Sequence, residues 1–214
     1  MGGFREFFAL MVLVTAIMNV ASPFLEFAVR LNVLQSWMLA FYILTAAVYL
    51  HTPHLYMSFL ATLFFKGLLA PYLLMKTLRR LGEEREMDMF LSIPAATVFS
   101  GLLVVIAAML SAKLLNFQSI FGKFALVSSI STFLIGAMLI VVRKILLSQI
   151  LGLLIMENAI FLAANSVTKG MPLIVELGVL FDILVSVLIT SLLLLRIKRS
   201  FEEIKIDRLE ALKE

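Results

Sequence analysis

The sequence predicts an all-α integral membrane protein of about seven transmembrane helices, N-terminus outside and C-terminus cytoplasmic. Three observations carry this. First, 62% of the 214 residues are hydrophobic and the mean hydropathy is +1.07, whereas a soluble domain is about 45–50% apolar. Second, apolar runs recur at the length of about 20 residues that a helix needs to cross a bilayer. Third, Lys and Arg fall unevenly between the two sides that seven spans define. One side collects thirteen: Arg30, Lys76, Arg79, Arg80, Arg85, Arg143, Lys144 and six residues of the tail. The other holds Arg5, Lys113, Lys123 and Lys169. An excess of basic residues marks the cytoplasmic side.

The elements follow in order. The first run, 7–27, is preceded by Arg5 and has Pro23 near its end. It is too long for a signal peptide, shows no clear small-residue cleavage site, and leads straight into a second run, 33–50. The third, 55–76, contains Pro71, which is expected to kink it. A mixed-charge connection, 77–89 (TLRRLGEEREMDM), precedes the fourth run, 90–112. It reads either as a solvated loop or as a docking surface for a cytoplasmic partner. The fifth and sixth runs, 121–142 and 145–166, flank Arg143 and Lys144. Pro172 suits the first turn of the seventh, 172–195. The tail 196–214 places Phe201, Ile204, Leu209 and Leu212 on one face of an amphipathic helix, suited to interfacial anchoring or to a neighbouring subunit.

Composition excludes several functions. There is no cysteine, hence no disulfide, no cysteine-held iron–sulfur cluster and no cysteine zinc site in this chain. The two histidines, His51 and His54, sit with Tyr49 and Tyr56 at an outer turn, where an aromatic belt explains the tyrosines. No Gly-rich phosphate loop and no Gly-x-Ser-x-Gly turn is present, so covalent catalysis by this chain is not expected.

Chemistry is concentrated in three ionisable residues inside apolar runs: Lys66, Glu157 and Asp182. A charge at bilayer mid-depth costs roughly 2.5 kcal/mol or more, so it is retained where a partner, a water cavity or a moving ion uses it. At 1.5 Å per residue all three fall about 15–18 Å into their runs, near the middle of a hydrocarbon layer about 30 Å thick. Titratable groups at one depth suit lateral proton transfer between neighbouring units; a buried structural ion pair is the plainer reading. Ser58, Thr62 and Lys66 recur every fourth residue, as do Gly178, Asp182, Ser186 and Thr190. Such stripes face protein or water, where they line a relay or simply hold helices together by hydrogen bonds. Glu176 is either a terminal relay or a solvated boundary residue. Asn158 and Asn165 share a face and are expected to satisfy backbone in the sixth span. Thr15, Asn19, Ser22 and Glu26 read as another stripe in the first span, with Glu26 and Arg30 as a boundary ion pair.

The stretch RKILLSQILGLLIMENAIFLAANS, 143–166, resembles the second half of NuoK, the small three-helix subunit of respiratory complex I. That family carries Gly-Leu-Glu-x-Met-x-Asn after a basic pair. Here Gly152-Leu153-Leu154-Ile155-Met156-Glu157-Asn158 moves the carboxylate from position 154 to Glu157, about 4.5 Å along the helix. Asp182 falls where the family has its second membrane carboxylate. Over nearly its full length the chain is similar to the E component of hydrogenase-4-type formate hydrogenlyase complexes (HyfE). The matching points are Gln35-Ser36, Lys66 with Pro71, Met156-Glu157-Asn158, Val175-Glu176, Asp182 and Leu209-Glu210-Ala211-Leu212-Lys213.

This resemblance implies a four-helix extension over 1–115, a NuoK-like unit over 116–195, and a cytoplasmic tail over 196–214. It implies a non-catalytic subunit of an inner-membrane oxidoreductase complex, contributing to proton or sodium translocation. Its partners would be antiporter-like subunits, a membrane anchor subunit and a peripheral arm of hydrogenase and iron–sulfur proteins. Nickel–iron and iron–sulfur centres would reside in those partners. Two other readings stand beside it: a NuoK-like subunit of an Mrp-type cation/proton antiporter, and a structural spacer.

Overall fold

The computed structural model describes residues 2–81, 89–114 and 123–167. The seventh apolar run and the tail, with Asp182, Glu176, Ser186 and Thr190, lie outside the described residues. So does most of the mixed-charge connection. The described secondary structure is helical, apart from isolated bridge residues at Phe24, Met89 and Arg143, of which Met89 and Arg143 pair with each other. This is what hydrocarbon demands, because a helix satisfies its backbone polar groups internally.

Among the described residues, six helical spans are long and apolar enough to cross a membrane. They are α1 (Gly2–Ala21), α2 (Leu25–Leu50), a third span built from α3 (Pro53–Ala61), a π-helical segment (Thr62–Leu69) and α4 (Ala70–Leu81), then α5 (Ile93–Leu114), α6 (Lys123–Val142) and α7 (Leu146–Val167). The chain therefore runs back and forth, and contacts at each end agree. Arg5 lies over the Tyr49 ring at one end; Arg79 approaches Glu26 and Met89 pairs with Arg143 at the other.

The first boundary differs from the sequence expectation. The chain turns at Ser22–Phe24 rather than at 28–32. Pro23 lies in the turn instead of kinking a helix. Ser22 Oγ accepts from Phe24 N–H and donates to Phe24 O, the local bonding by which serine competes with helix. Arg30 and Asn32, which suggest a polar connection, belong to α2. The stripe Thr15–Asn19–Ser22–Glu26 is accordingly split between two helices. Asn19 instead crosses the hairpin and donates to Ala28 O at 3.0 Å. The Glu26–Arg30 pair is present at 3.6 Å, at the start of α2.

The helices pack in four ranks: α5 on α6 and α1, these on α7 and α2, and α2 on the third span. The closest approach joins α6 to α7. A Cβ on Gly136 would lie 2.8 Å from the Gly152 carbonyl oxygen, and one on Gly152 would lie 2.9 Å from the Gly136 oxygen. Small residues let backbones meet in this way, which is how membrane helices gain dispersion contacts. Many hydroxyls serve their own helix. Thr97, Ser100, Ser111, Ser129 and Ser166 each donate to a carbonyl three or four residues back.

Gly152→Leu is expected to force α6 and α7 apart and to lower stability by about 1–3 kcal/mol, the cost of overpacking. Gly101→Ala, where an added Cβ meets nothing within 4 Å, is the matched control and is expected to leave stability unchanged or slightly raised. Thermal unfolding of both variants in mild detergent checks this.

Candidate functional site

Three apolar clusters make up the buried interior, and two of them bracket a polar layer. Towards the α2 C-terminal end, Leu39, Tyr42, Leu55, Phe161 and Leu162 pack together. Towards the opposite end, Leu25, Ala28, Val29, Leu74, Leu78 and Leu154 do so. Each contributing helix changes cluster across a gap. On α2 the gap holds Gln35 and Ser36; on the third span, Lys66; on α7, Glu157 and Asn158. All five are buried.

Within this layer Lys66 Nζ lies 2.9 Å from Glu157 Oε1, with the two side chains 3% and 5% exposed. At that distance the ammonium and the carboxylate are in direct contact, and among the described residues Lys66 is the group that faces the Glu157 carboxylate most closely. Lys66 Nζ also donates to Asn158 Oδ1 at 3.2 Å and lies 3.8 Å from the Phe161 ring centroid, within cation–π range. Asn158 Nδ2 donates to Gln35 Oε1 at 3.0 Å and to Ser36 Oγ at 3.4 Å. Gln35 Nε2 passes the chain on to Val12 O at 2.9 Å. One polar layer thus joins α1, α2, the third span and α7. Glu157 is eleven residues from Leu146 and ten from Val167, about 15–16 Å from either end of α7.

The π-helical segment sets the position of Lys66. Pro71 has no N–H to donate and its ring crowds the carbonyl four residues back, which is that of Gly67. The helix widens before it: Ala70 N–H reaches Phe65 O, five residues back. The Gly67 oxygen receives a side-chain donor instead, Trp37 Nε1, in a long bond of 3.4 Å. A Cβ on Gly67 would lie 2.9 Å from that nitrogen, so the glycine admits the indole. Proline, glycine and tryptophan act as one device, and the turn it widens carries the buried lysine. Single π turns inside helices are often found at functional sites.

The sequence-derived candidates fall as follows. Lys66 and Glu157 are brought into contact. Asn158 does not satisfy its own helix backbone but links Lys66 to Gln35; Asn165 does serve its helix, donating to Phe161 O at 2.9 Å. Ser58 and Thr62 are buried on the third span with Lys66. Thr62 Oγ1 has no hydrogen-bond partner among the described residues. Gln35, Ser36 and Phe161 are site members that the sequence reading does not assign to the site, although Gln35-Ser36 is among its matching points. Starting the second span at 33 makes Gln35 a boundary residue; starting at Leu25 puts it at mid-depth. The signal was the Asn32, Gln35, Ser36 group within otherwise apolar sequence. Among the described residues no cluster of acidic and histidine side chains suits a metal ion.

Breaking a buried pair by removing one partner costs about 3–5 kcal/mol, whereas apolar replacement of both is often neutral. Lys66→Met and Glu157→Leu are each expected to destabilise by that order, and the double variant by less than either. A double-mutant cycle from unfolding in mild detergent checks this; additive losses would contradict the pairing.

Residues 124–214, less than half of the chain, match the family model of NADH-ubiquinone/plastoquinone oxidoreductase chain 4L. The chain is also similar to an uncharacterized protein of Mycobacterium tuberculosis, 26% identical over 156 residues, covering 72% of this chain and 71% of that protein. No solved structure matches it. The family match includes Glu157 and Asn158 but not Lys66, so the ion pair joins the matched part of the chain to the part before it. Together with six membrane-spanning helices, the match supports a complex I-related, multi-pass membrane subunit.

Proposed function

We propose that this chain is a membrane-arm subunit of a complex I-related oxidoreductase, of the hydrogenase or formate hydrogenlyase type. In this reading it contributes to translocation of protons, or of sodium, driven by redox chemistry in partner subunits. The observation that carries it is the ion pair Lys66–Glu157, closed between two apolar clusters at mid-depth. The chain 4L match over 124–214 supports the complex.

The pair has two balanced states. In one, an ammonium faces a carboxylate. In the other, a Lys66 N–H bond has broken, a Glu157 O–H bond has formed, and amine faces acid. In a medium of low dielectric a charge arriving nearby acts strongly on this balance. A proton delivered to Glu157 leaves Lys66 without its counter-ion and favours release of the lysine proton onward. Asn158 accepts from the ammonium, and Gln35 holds Asn158 in that orientation. Asp182 extends the relay in this reading, with Glu176, Ser186 and Thr190 as its lining on the next span.

The remaining assignments belong to the same proposal. The division into an extension over 1–115, a unit over 116–195 and a tail over 196–214 is part of this reading; among the described residues α2 packs against α7. Partners are antiporter-like subunits, a membrane anchor and peripheral hydrogenase and iron–sulfur subunits. With no cysteine here, cysteine ligands for nickel–iron or iron–sulfur centres come from those partners. The location is the cytoplasmic membrane with the N-terminus outside. The polar layer's bonds across four helices favour one second reading, a spacer whose charges only lock helices.

Two measurements test this. Purification through a C-terminal tag in gentle detergent, with mass spectrometry of co-purifying proteins, is expected to return redox subunits together with antiporter-like proteins. Antiporter-like proteins alone would point to the Mrp-type reading. The double variant Lys66→Met/Glu157→Leu is then expected to assemble and to keep redox turnover, while ion uptake by membrane vesicles falls to background. Unchanged uptake in the assembled double variant would leave the spacer.

A further inference from the structure

The outer surface of the α2–α4 seam carries a different kind of site. On α2 the exposed residues Phe27, Arg30, Leu34 and Trp37 form one stripe; on the third span Leu68, Tyr72, Lys76 and Arg79 form another. The helices meet along this seam, with Trp37 Nε1 bonded to Gly67 O at mid-depth and Arg79 Nε 4.0 Å from Glu26 Oε1 near the end. The stripes are apolar towards mid-depth and basic at the end. Arg30 lies five residues into α2, about 7.5 Å from its start, the depth at which hydrocarbon gives way to headgroups.

Charge at that end is unbalanced. Arg30 and Arg79 share one carboxylate, Glu26, at 3.6 Å and 4.0 Å, and their side chains are 69% and 72% exposed. Lys76 adds a third cation, 5.8 Å from the Tyr72 ring centroid. Beside them a hollow of about 320 Å³ is lined by Phe24, Glu26, Phe27 and Arg30. Guanidinium groups match phosphate oxygens in pairs, and basic pockets between membrane helices hold anionic lipid headgroups.

We propose that the α2–α4 seam binds an anionic glycerophospholipid, its phosphate on Arg30 and Arg79 and one acyl chain along Leu34, Trp37 and Tyr72. Among the described residues, three cations against one carboxylate supply the charge complementarity. The apolar stripe running inward from them supplies the chain site that a soluble phosphate would not use. The site shares Trp37 with the turn that carries Lys66, but its basic residues are separate from the ion pair.

The test uses the full chain in bilayer nanodiscs of equimolar phosphatidylglycerol and phosphatidylcholine. It is then extracted into mild detergent, and retained lipid is measured by native mass spectrometry. Phosphatidylglycerol is expected to be enriched over phosphatidylcholine. Arg30→Gln and Arg79→Gln are each expected to lower that enrichment about fivefold, from the usual contribution of a basic side chain near an anionic surface. Glu26→Gln, which removes the competing carboxylate, is expected to raise it. Lys144→Gln, the same charge loss elsewhere at this end, is expected to leave it unchanged. Equal retention of the two lipids, enrichment that survives loss of both arginines, or displacement of lipid by inorganic phosphate alone would overturn the proposal. The first of these would leave the seam to a partner helix.

Discussion

Hydrocarbon offers a charged side chain no water, so the lysine at mid-depth requires a counter-charge held in place. The 2.9 Å contact between Lys66 and Glu157 is the constraint around which the other interior features are arranged. It brings the third span against α7. Asn158 can then reach Lys66 and Gln35 at once, which draws in α2 and, through Val12, α1. The glycine contact of α6 and α7 fixes α7 from its other side. The proline-widened turn fixes Lys66. Each device spends local stability, a glycine in a helix or a turn without its full set of backbone bonds, on the placement of one ionic contact.

The same charge types appear at the membrane boundary with a different role. Glu26 and Arg30 stand at 3.6 Å, but the arginine is largely exposed and the pair is four residues apart on one helix. Such a pair contributes little to stability. At Lys66 and Glu157 the two apolar clusters exclude solvent, and each charge depends on the other. Burial turns a weak attraction into a strong mutual dependence of the two charges. A structural role and a relay role therefore rest on the same geometry; they differ in whether the proton shifts when a neighbour's charge changes.

The fold class was legible because it rests on length and composition: the first six of the seven predicted runs correspond to the six spans among the described residues, and the seventh lies outside them. The first hairpin was misplaced because Arg30 and Asn32 look like connection residues. In the fold Arg30 sits within reach of the interface, where a long side chain can extend to water, while Asn32 is buried. Ser22 and Pro23 were the true turn signal. Lys66 and Glu157 were legible as isolated charges at equal depth. Their contact was not, since it depends on which helices are neighbours. The π-helical segment was visible only as a proline after Gly67; the missing piece, Trp37, lies thirty residues earlier. Asp182 and its stripe remain expectations from pattern alone.

Arg143 is buried where α6 gives way to α7, and one of its guanidinium nitrogens donates to the carbonyls of Asn19, Val20 and Ser22 at 2.9–3.2 Å. Asn19 and Val20 lie in the last turn of α1 and Ser22 in the turn after it, where carbonyls run short of helix donors; Asn19 O also accepts from Ser22 N–H at 3.3 Å. The donor that completes the first helix is thus synthesised more than 120 residues after the carbonyls it serves. The hairpin of α1 and α2 has its own bond between Asn19 and Ala28, but these three acceptors gain their guanidinium partner only once the fifth span is in place. A truncation before Arg143 would leave those carbonyls at the membrane surface and the first two helices loosely held.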